Sequence, residues 1–230
     1  MEDKSSGYRG RFTKVKTAKR RKISSTKWLQ RQLNDQYVQR SKTDGYKSRA
    51  AYKIIEINNK FGIFKPGQNV VDLGAAPGGW SQVVARLIKS DISNAKNKLL
   101  AIDLLPMDDI SGVTFAQKDF YDDDAKSFVL KHLCGEMADV VMSDMAANTT
   151  GHAQTDHLRT MGLCEAALDF ALKIIKPGGV FIVKIFRGGA ENDLLEIVKQ
   201  NFKLVKHFKP DSSRKASSEF YLVAMSRKRF

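Results

Sequence analysis

The sequence predicts an α/β fold: a mostly parallel, seven-stranded sheet with helices on both faces and an antiparallel hairpin at one edge. Short apolar runs alternate with segments of helical periodicity from residue 70 to residue 201, and this alternation is typical of parallel sheets. Glycine and proline mark turns at the ends of several runs. The last two apolar runs, 202–208 and 220–224, have no helix between them, which predicts the hairpin.

The first elements precede the sheet. A helix capped by Ser25 or Thr26 is predicted to reach about Val38, and a polar, glycine-containing link follows over residues 39–47. Apolar residues at helical spacing then predict a second helix over residues 48–61.

The predicted strands and helices of the sheet region follow residue 62. The predicted strands are 70–73, 99–104, 113–116, 140–143, 180–185, 202–208 and 220–224. The predicted helices between them are 79–89, 125–133, 156–175 and 192–201. One domain is therefore expected over residues 26–230, with an α/β core at 63–230 and a helical segment at 26–62 that is expected to bind RNA and to contribute to the active site. Residues 1–25 are polar and basic, and are predicted to be a disordered extension.

Charge is unevenly distributed along the 230 residues, whose net charge is +14. Residues 1–53 carry a net charge of +12, residues 54–202 of −4 and residues 203–230 of +6. Two basic ends on a mildly acidic body favour a polyanionic partner, since lysine and arginine contact phosphates irrespective of base sequence. Aromatic residues among the N-terminal cations, Trp28 for example, could stack on bases.

Composition disfavours several other classes of protein. No apolar run reaches the roughly 18 residues that a membrane span needs. The N-terminus has no apolar signal segment, so a cytoplasmic protein is expected. The two cysteines, Cys134 and Cys164, and the four histidines show no spacing typical of metal ligands. Neither a disulfide nor a metal site is therefore predicted.

The most informative segment is V-V-D-L-G-A-A-P-G-G-W-S-Q, residues 70–82. A strand enters a glycine-rich turn that contains Gly74 and Gly78, and a helix resumes near Trp80. Backbone N–H groups at a helix start, beside glycines that let a ligand approach, form a nucleotide-binding cradle. The phosphate fingerprint G-x-G-x-x-G is absent, which favours a less anionic nucleoside such as S-adenosylmethionine. A plain β–α turn capped by glycine is the alternative.

Polar residues also follow the other strands, and ligands of such sheets bind beyond the carboxyl ends of the strands. Asp103, after the second strand, could accept hydrogen bonds from both hydroxyls of a ribose. Asp119, after the third, could accept one from an adenine amino group. Asp144 follows the fourth strand. Each acid could instead be a helix cap or a solvated turn residue. Lys184 lies within a strand predicted to be buried, where an unpaired lysine is costly.

These motifs resemble those of the FtsJ-like ribosomal RNA 2′-O-methyltransferases. The matching segments are S-S-T-K-W-L-Q-R-Q, S-R-A-A-Y-K-I-I-E-I, V-V-D-L-G-A-A-P-G-G-W-S-Q, I-D-L-L-P-M-D, V-V-M-S-D-M-A-A-N, P-G-G-V-F-I-V-K-I-F and K-P-D-S-S-R-K-A-S-S-E-F-Y-L-V-A. They follow the family's order over residues 24–226, nearly the whole chain.

The resemblance implies a Rossmann-like methyltransferase fold that uses S-adenosylmethionine. It implies 2′-O-methylation of a uridine in large-subunit (23S) ribosomal RNA, late in subunit maturation, by a monomer. It implies a catalytic tetrad of Lys53, Asp144, Lys184 and Glu219. It implies cofactor contacts at Gly74, Gly78, Trp80, Asp103, Asp119 and Asp144. Ala147 departs from the family, which commonly has proline there, so the loop beside the site lacks a rigid turn residue.

Elementary chemistry agrees with two lysines in one site. Methyl transfer to a ribose needs alignment and a base that removes the hydroxyl proton. The ordinary pKa of a lysine is about 10.4; burial or a neighbouring cation lowers it, whereas carboxylates raise it. Lys184 is the expected base and Lys53 its cationic neighbour or the group that positions the hydroxyl, while Asp144 and Glu219 orient the amines.

Three other functions stay open at this point. An oxidoreductase could use the same sheet, although the dinucleotide fingerprint is missing. A non-catalytic RNA-binding or ribosome-assembly protein would also explain the basic ends. A base N-methyltransferase is disfavoured, because D-M-A-A lacks the prolines and the aromatic residue of the (D/N)-P-P-(Y/F) motif.

Overall fold

The computed structural model describes residues 13–17, 19, 22–93, 95–147, 150–187 and 191–229; the predicted disorder of residues 1–12 lies outside them. The strands are β1 (Val70–Leu73), β2 (Leu99–Asp103), β3 (Thr114–Gln117), β4 (Ala138–Ser143), β5 (Ile175–Phe186), β6 (Phe202–Phe208) and β7 (Glu219–Arg227). The helices are α1 (Ile23–Leu33), α2 (Gln36–Thr43), α3 (Ala51–Phe61), α4 (Gly79–Ile88), α5 (Ala125–His132), α6 (Ala153–Ile174) and α7 (Glu191–Asn201).

The strands form one sheet in the order β3-β2-β1-β4-β5-β7-β6. Strands β1 to β5 pair in parallel, and β7 is antiparallel to both of its neighbours, β5 and β6. This confirms the predicted seven-stranded, mostly parallel sheet with an antiparallel hairpin at one edge. Because β7 inserts between β5 and β6, the hairpin brings the last strand of the chain next to the centre of the sheet.

Helices cover both faces of the sheet, as predicted. Helices α5, α6 and α7 pack on one face and α3 and α4 on the other. Successive side chains of a strand point to opposite faces, so Val71 and Leu73 enter the first core whereas Val70 enters the second. Both cores are formed largely by fully buried aliphatic residues, which fixes the register of each strand.

The region before the sheet differs from the prediction. Two helices replace the single predicted helix and its link, because α1 ends at Leu33 and α2 continues to Thr43, well into the segment expected to be a link. Asp35 explains the break: its carboxylate accepts hydrogen bonds from the N–H groups of Tyr37 (3.0 Å) and Val38 (3.4 Å). It thereby caps α2 at its N-terminus.

The expected boundary at residue 25 is also displaced, since α1 already begins at Ile23. Part of the preceding segment lies against this helix. Thr13 donates its N–H to Asn34 Oδ1 (2.8 Å), and Val15 donates its N–H to Gln30 Oε1 (3.2 Å). Long polar side chains of α1 thus hold residues that composition alone predicts to be disordered.

Strand β5 begins earlier than expected. Ile175 pairs with Ala138, residues 176–179 leave the ladder, and pairing resumes at Val180 opposite Val140. Gly178 has a φ of 82°, which suits a bulge of this kind. None of the helices in the described ranges is long and apolar enough to cross a membrane.

Candidate active site

The glycine turn connects β1 to α4 and is closely packed. Gly74 and Gly78 have φ values of 72° and 99°, which disfavour any side chain. A Cβ at Gly74 would overlap Met145 Cγ, and one at Gly78 would overlap Ile110 Cδ1. The first helical hydrogen bond of α4 runs from the N–H of Gln82 to the carbonyl of Gly78 (2.9 Å). The N–H groups of the residues before Gln82, at the start of α4, therefore have no acceptor within the helix and point toward the turn.

Asp103 joins the end of β2 to this turn. Its Oδ2 accepts the N–H of Ala76 (2.8 Å) and its Oδ1 accepts the N–H of Leu105 (2.8 Å). Asp119 similarly accepts the N–H of Tyr121 (2.9 Å). Each carboxylate oxygen has a second lone pair, so both groups are oriented by the backbone while keeping the capacity to accept bonds from a ligand.

Trp80 differs from the other predicted cofactor residues because its side chain lies in the core. It is 3% exposed, its indole N–H donates to the carbonyl of Ala50 (2.9 Å), and its ring lies 5.5 Å from that of Tyr221. Only the backbone of Trp80, at the start of α4, remains for contact with a ligand.

Two lysines and two carboxylates meet beyond the ends of β4 and β5. Lys53 Nζ lies 3.1 Å from Glu219 Oε1 and 3.7 Å from Asp144 Oδ1. Lys184 Nζ lies 3.1 Å from the same Asp144 oxygen, and it also donates to the main-chain carbonyl of Asp144. Both lysine side chains are 9% exposed. The cluster therefore balances two positive charges with two negative ones at a largely buried position.

Strand alternation explains why these groups meet. Asp144, Lys184 and Glu219 have the same parity as Met142, Ile182 and Tyr221, which belong to the core on the α3 face. Lys184 pairs with Tyr221 across the β5–β7 ladder, and Phe186 pairs with Glu219. The three side chains therefore point to the face on which α3 carries Lys53.

Tyr221 completes the cluster, and the sequence-based analysis missed it. Its hydroxyl donates to Asp144 Oδ1 (2.6 Å), and Lys53 Nζ lies 5.6 Å from the centre of its ring. Burial, reinforced by the charges of Asp144 and Glu219, raises the pKa of Tyr221 well above its ordinary value, so the hydroxyl keeps its proton. The sequence did contain a signal for Tyr221, because it lies two residues after Glu219 in the same strand and so shares its face.

The pKa of Asp144 reflects opposing effects. Burial alone would raise it, but the ammonium groups of Lys184 and Lys53 and the hydroxyl of Tyr221 outweigh burial and hold the pKa below its ordinary value. Asp144 is therefore a carboxylate at neutral pH and can orient both amines.

Asp72 lies at the end of β1, between the glycine turn and the lysine cluster. Burial raises its pKa to about 7, the hydrogen bond from Ser81 opposes this, and the charges of Asp144 and Asp103 add to the rise. The Ser81 hydroxyl donates to Asp72 Oδ2 at 2.6 Å. The charges of both halves of the site thus act on the Asp72 carboxyl, which its position within β1 does not by itself indicate.

Two further contacts of α6 lie near the cluster, one with the loop after β4 and one with β5. Ala147 donates its N–H to Thr160 Oγ1 (3.2 Å); proline, which the family commonly has here, has no N–H to donate. The thiol of Cys164 donates to the carbonyl of Lys184 (3.0 Å), and burial raises the pKa of this thiol to about 12. Cys164 therefore acts as a neutral donor that fixes the backbone beneath the lysine.

A cavity of about 430 Å³ opens between the loops that follow β3 and β4. Its lining residues are Tyr121, Ala146, Ala147, Arg159, Gly162 and Leu163. This volume is in the range of small-molecule sites. Over the part of the chain that the structure covers, no group of three or more His, Cys, Asp or Glu residues could hold a metal ion.

Comparison with known proteins identifies relatives of the whole chain. Residues 46–227 match the family model of the FtsJ-like methyltransferases. The chain is 57% identical, over 99% of its length and 100% of the relative's, to the ribosomal RNA large subunit methyltransferase E of Rickettsia rickettsii.

Solved structures agree with this relationship. A crystal structure described as a ribosomal RNA methyltransferase from Plasmodium falciparum is 34% identical, with a TM-score of 0.70, over 79% of this chain and 98% of that one. A fibrillarin/Nop5p complex matches with a TM-score of 0.53 at 15% identity, over 76% of this chain and 82% of that one. The latter similarity concerns the fold alone, and both support a Rossmann-like methyltransferase fold.

Proposed function

This chain belongs to the FtsJ-like methyltransferase family, and from that premise we propose that it transfers a methyl group from S-adenosylmethionine to the ribose 2′-oxygen of a uridine in large-subunit ribosomal RNA. Membership in this family excludes the oxidoreductase and the non-catalytic protein. The buried cluster of Lys53, Asp144, Lys184 and Glu219, beside the glycine turn, is the observation that carries the proposal.

The turn region fits S-adenosylmethionine, which supplies a methyl group activated by a sulfonium. A Cβ at Gly74 or Gly78 would collide with Met145 or Ile110, so glycine at both positions keeps the turn tight and leaves its backbone N–H groups available to a ligand. Asp103 would accept hydrogen bonds from the ribose hydroxyls, and Asp119 from the adenine amino group. The backbone of Trp80 and the carboxylate of Asp144 would complete the contacts.

Lys184 is the proposed general base. In its uncharged form, the amine would take the proton of the 2′-hydroxyl as that oxygen bonds to the methyl carbon and the carbon–sulfur bond breaks, with the neutral thioether as leaving group. Asp144 would hold Lys184 and Lys53 in place through one shared oxygen, with Tyr221 fixing that oxygen from the other side. Lys53, held by Glu219 at 3.1 Å, would position the hydroxyl and stabilise negative charge on its oxygen.

The polymeric substrate is proposed from two observations. The Rickettsia relative is named for large-subunit ribosomal RNA, and the basic ends of this chain suit a polyanion. We propose that the chain acts as a monomer in the cytoplasm, on an assembled or nearly assembled large subunit.

Mapping of methyl groups in ribosomal RNA tests the proposal. RNA from cells with the protein, without it, and with Lys184→Met in its place would be digested to nucleosides and mapped for 2′-O-methylation. We expect one ribose-methylated uridine of the large subunit to disappear in both deficient strains. Loss of a base-methylated nucleoside instead would favour a base N-methyltransferase, and an unchanged methylation map would refute the proposed function.

A further inference from the structure

The N-terminal helices and the described residues before them form a positively charged surface, which we call the basic surface (residues 13–17, 19 and 22–43). These residues hold eight lysines and arginines and a single acid, Asp35. The described cations are all exposed, and they are Lys14, Lys16, Lys19, Lys22, Lys27, Arg31, Arg40 and Lys42. The Asp35 side chain is only 8% exposed. Arg40 is paired with Asp44, which lies just beyond this surface, at 3.2 Å; the charge that the other exposed cations present to solvent is positive.

Trp28 lies on this surface with 52% of its area exposed. Lys27 precedes it in α1, and Arg31 follows one turn later on the same side of the helix, both exposed. The other tryptophan, Trp80, is buried in the core. An exposed indole between cations matches what single-stranded RNA requires, because a base can stack on the ring while its phosphates contact the cations.

The basic surface is connected to the lysine cluster through Asp35. Its Oδ2 lies 3.0 Å from Arg49 Nη1 and 3.2 Å from Arg214 Nε. Arg49 also donates to the carbonyl of Ser212. The loop that contains Ser212 and Arg214 leads directly into β7, which begins at Glu219. Asp35, between α1 and α2, thus ties the N-terminal helices to the loop that leads into β7 and its tetrad member Glu219.

Charge also decides among the possible occupants of this surface. A second copy of the chain that docked through this same surface would bring a second positive surface and would be repelled. Residues 1–12 hold three lysines and arginines against two acids, so they too are not a complementary partner. A polyanion is complementary to the surface, and a polyanion with unpaired bases would use Trp28 as well.

We propose that Trp28 stacks on an unpaired base of the ribosomal RNA, while Lys27 and Arg31 contact its phosphates. This inference rests on the proposed function, because it assigns the place where the substrate of that reaction docks. Trp28 would contribute affinity and not chemistry, so its loss should raise KM and leave kcat unchanged.

Tryptophan fluorescence and binding of a 12-nucleotide oligouridylate to the full chain test the stacking. We expect oligouridylate to quench the fluorescence of the wild type, and Trp28→Ala to abolish the quenching. We expect the Kd to rise about 5- to 150-fold in that variant, the range that base–aromatic stacking of about 1–3 kcal/mol gives. Trp28→Phe should retain most of the affinity, and Ile197→Ala, which removes an exposed apolar residue on α7, should bind like the wild type.

The salt dependence of RNA binding distinguishes the contribution of the cations from that of the indole. The slope of log K against log salt should stay unchanged in Trp28→Ala. Replacement of Lys27 and Arg31 by glutamine should make the slope shallower by about 0.7 for each phosphate that is no longer neutralised. Equal quenching by polyglutamate would overturn the assignment to RNA. A dimer in sedimentation that Trp28→Ala dissociates would assign the indole to a second copy instead.

Methylation of large subunits distinguishes failure of this inference from failure of the proposed function. A wild type that methylates normally, together with an unchanged KM in Trp28→Ala, would overturn only the role of Trp28. A wild type that methylates no ribose would overturn the proposed function itself.

Discussion

The glycine turn and the lysine cluster lie at the same end of the sheet but are assembled differently. In the turn region, Asp103 and Asp119 accept hydrogen bonds from nearby backbone N–H groups. In the cluster, Asp144 is held by side chains from α3, β5 and β7. The first region therefore depends on local backbone geometry and leaves lone pairs for a ligand. The second depends on contacts between distant elements and balances its own charges.

The largest predicted effect separates chemistry from cofactor binding. Lys184→Met should lower the rate of methyl transfer by about 10²- to 10⁴-fold, the usual contribution of a general base. The Kd for S-adenosylmethionine, measured by calorimetry, should stay nearly unchanged, because the turn region does not depend on this lysine. Lys206→Met, an exposed lysine on β6, is the matched control and should remain active. A Lys184→Met enzyme that remains active would show that Lys184 is not the general base.

Asp72 tests the effect of burial on a carboxyl at the end of β1, to which the charges of Asp144 and Asp103 add. Its pKa is raised to about 7, so the folded state keeps a proton that the unfolded chain loses near pH 4. Stability should therefore fall as pH rises from about 4 to about 7, by roughly 4 kcal/mol if the full shift is realised. Asp72→Asn keeps an acceptor for Ser81 but cannot ionise.

Denaturant unfolding at two pH values measures this effect. We expect Asp72→Asn to be more stable than the wild type at pH 8, and the difference to be small at pH 4. A difference between the two proteins that does not change with pH would mean that burial does not raise the pKa of Asp72.

Tyr221→Phe tests how much the buried Tyr221 hydroxyl stabilises the cluster. Removal of the hydroxyl takes a hydrogen bond from the Asp144 carboxylate and should lower the free energy of unfolding at pH 7 by about 1.5–3 kcal/mol. The low pKa of Asp144 stabilises the fold above the ordinary pKa of an aspartate, and this stability is lost as pH falls through the lowered value. The variant raises that pKa, so acid unfolding should shift to higher pH.

Tyr52→Phe is the control for this substitution. Its hydroxyl donates to Asp44 at 2.7 Å, but the Asp44 side chain is 35% exposed, so water can replace the missing bond and we expect a smaller loss of stability. Equal losses in the two variants would show that burial of the carboxylate does not matter.

The smallest effect concerns the turn region. Gly74 and Gly67 both have positive φ values, of 72° and 89°, so alanine at either position is strained. Only at Gly74 would the new Cβ meet another side chain, that of Met145. Gly74→Ala should therefore cost about 1 kcal/mol more than Gly67→Ala and should alone weaken binding of S-adenosylmethionine. Equal costs and equal affinities would mean that the packing at Gly74 is not important.

Sequence patterns located most of the elements. The strands at 70–73 and 202–208 have the predicted limits, and α4 and α5 begin at the predicted residues. Their signals are local, because a strand or helix is marked by its own periodicity and its flanking turns. The break between α1 and α2 was missed, since Asp35 has the composition of a link residue and its capping role depends on the geometry of the chain around it.

The sequence by itself determined the fold class, the glycine turn and the acids at the strand ends, because each of these depends on neighbours within a few residues. The tertiary structure alone decided that the indole of Trp80 is buried, that Tyr221 binds Asp144, and that Asp72 has a raised pKa. These features arise where β7 inserts beside β5 and α3 packs over both. Their energies come from burial and from charges at long sequence separation, which no local pattern encodes.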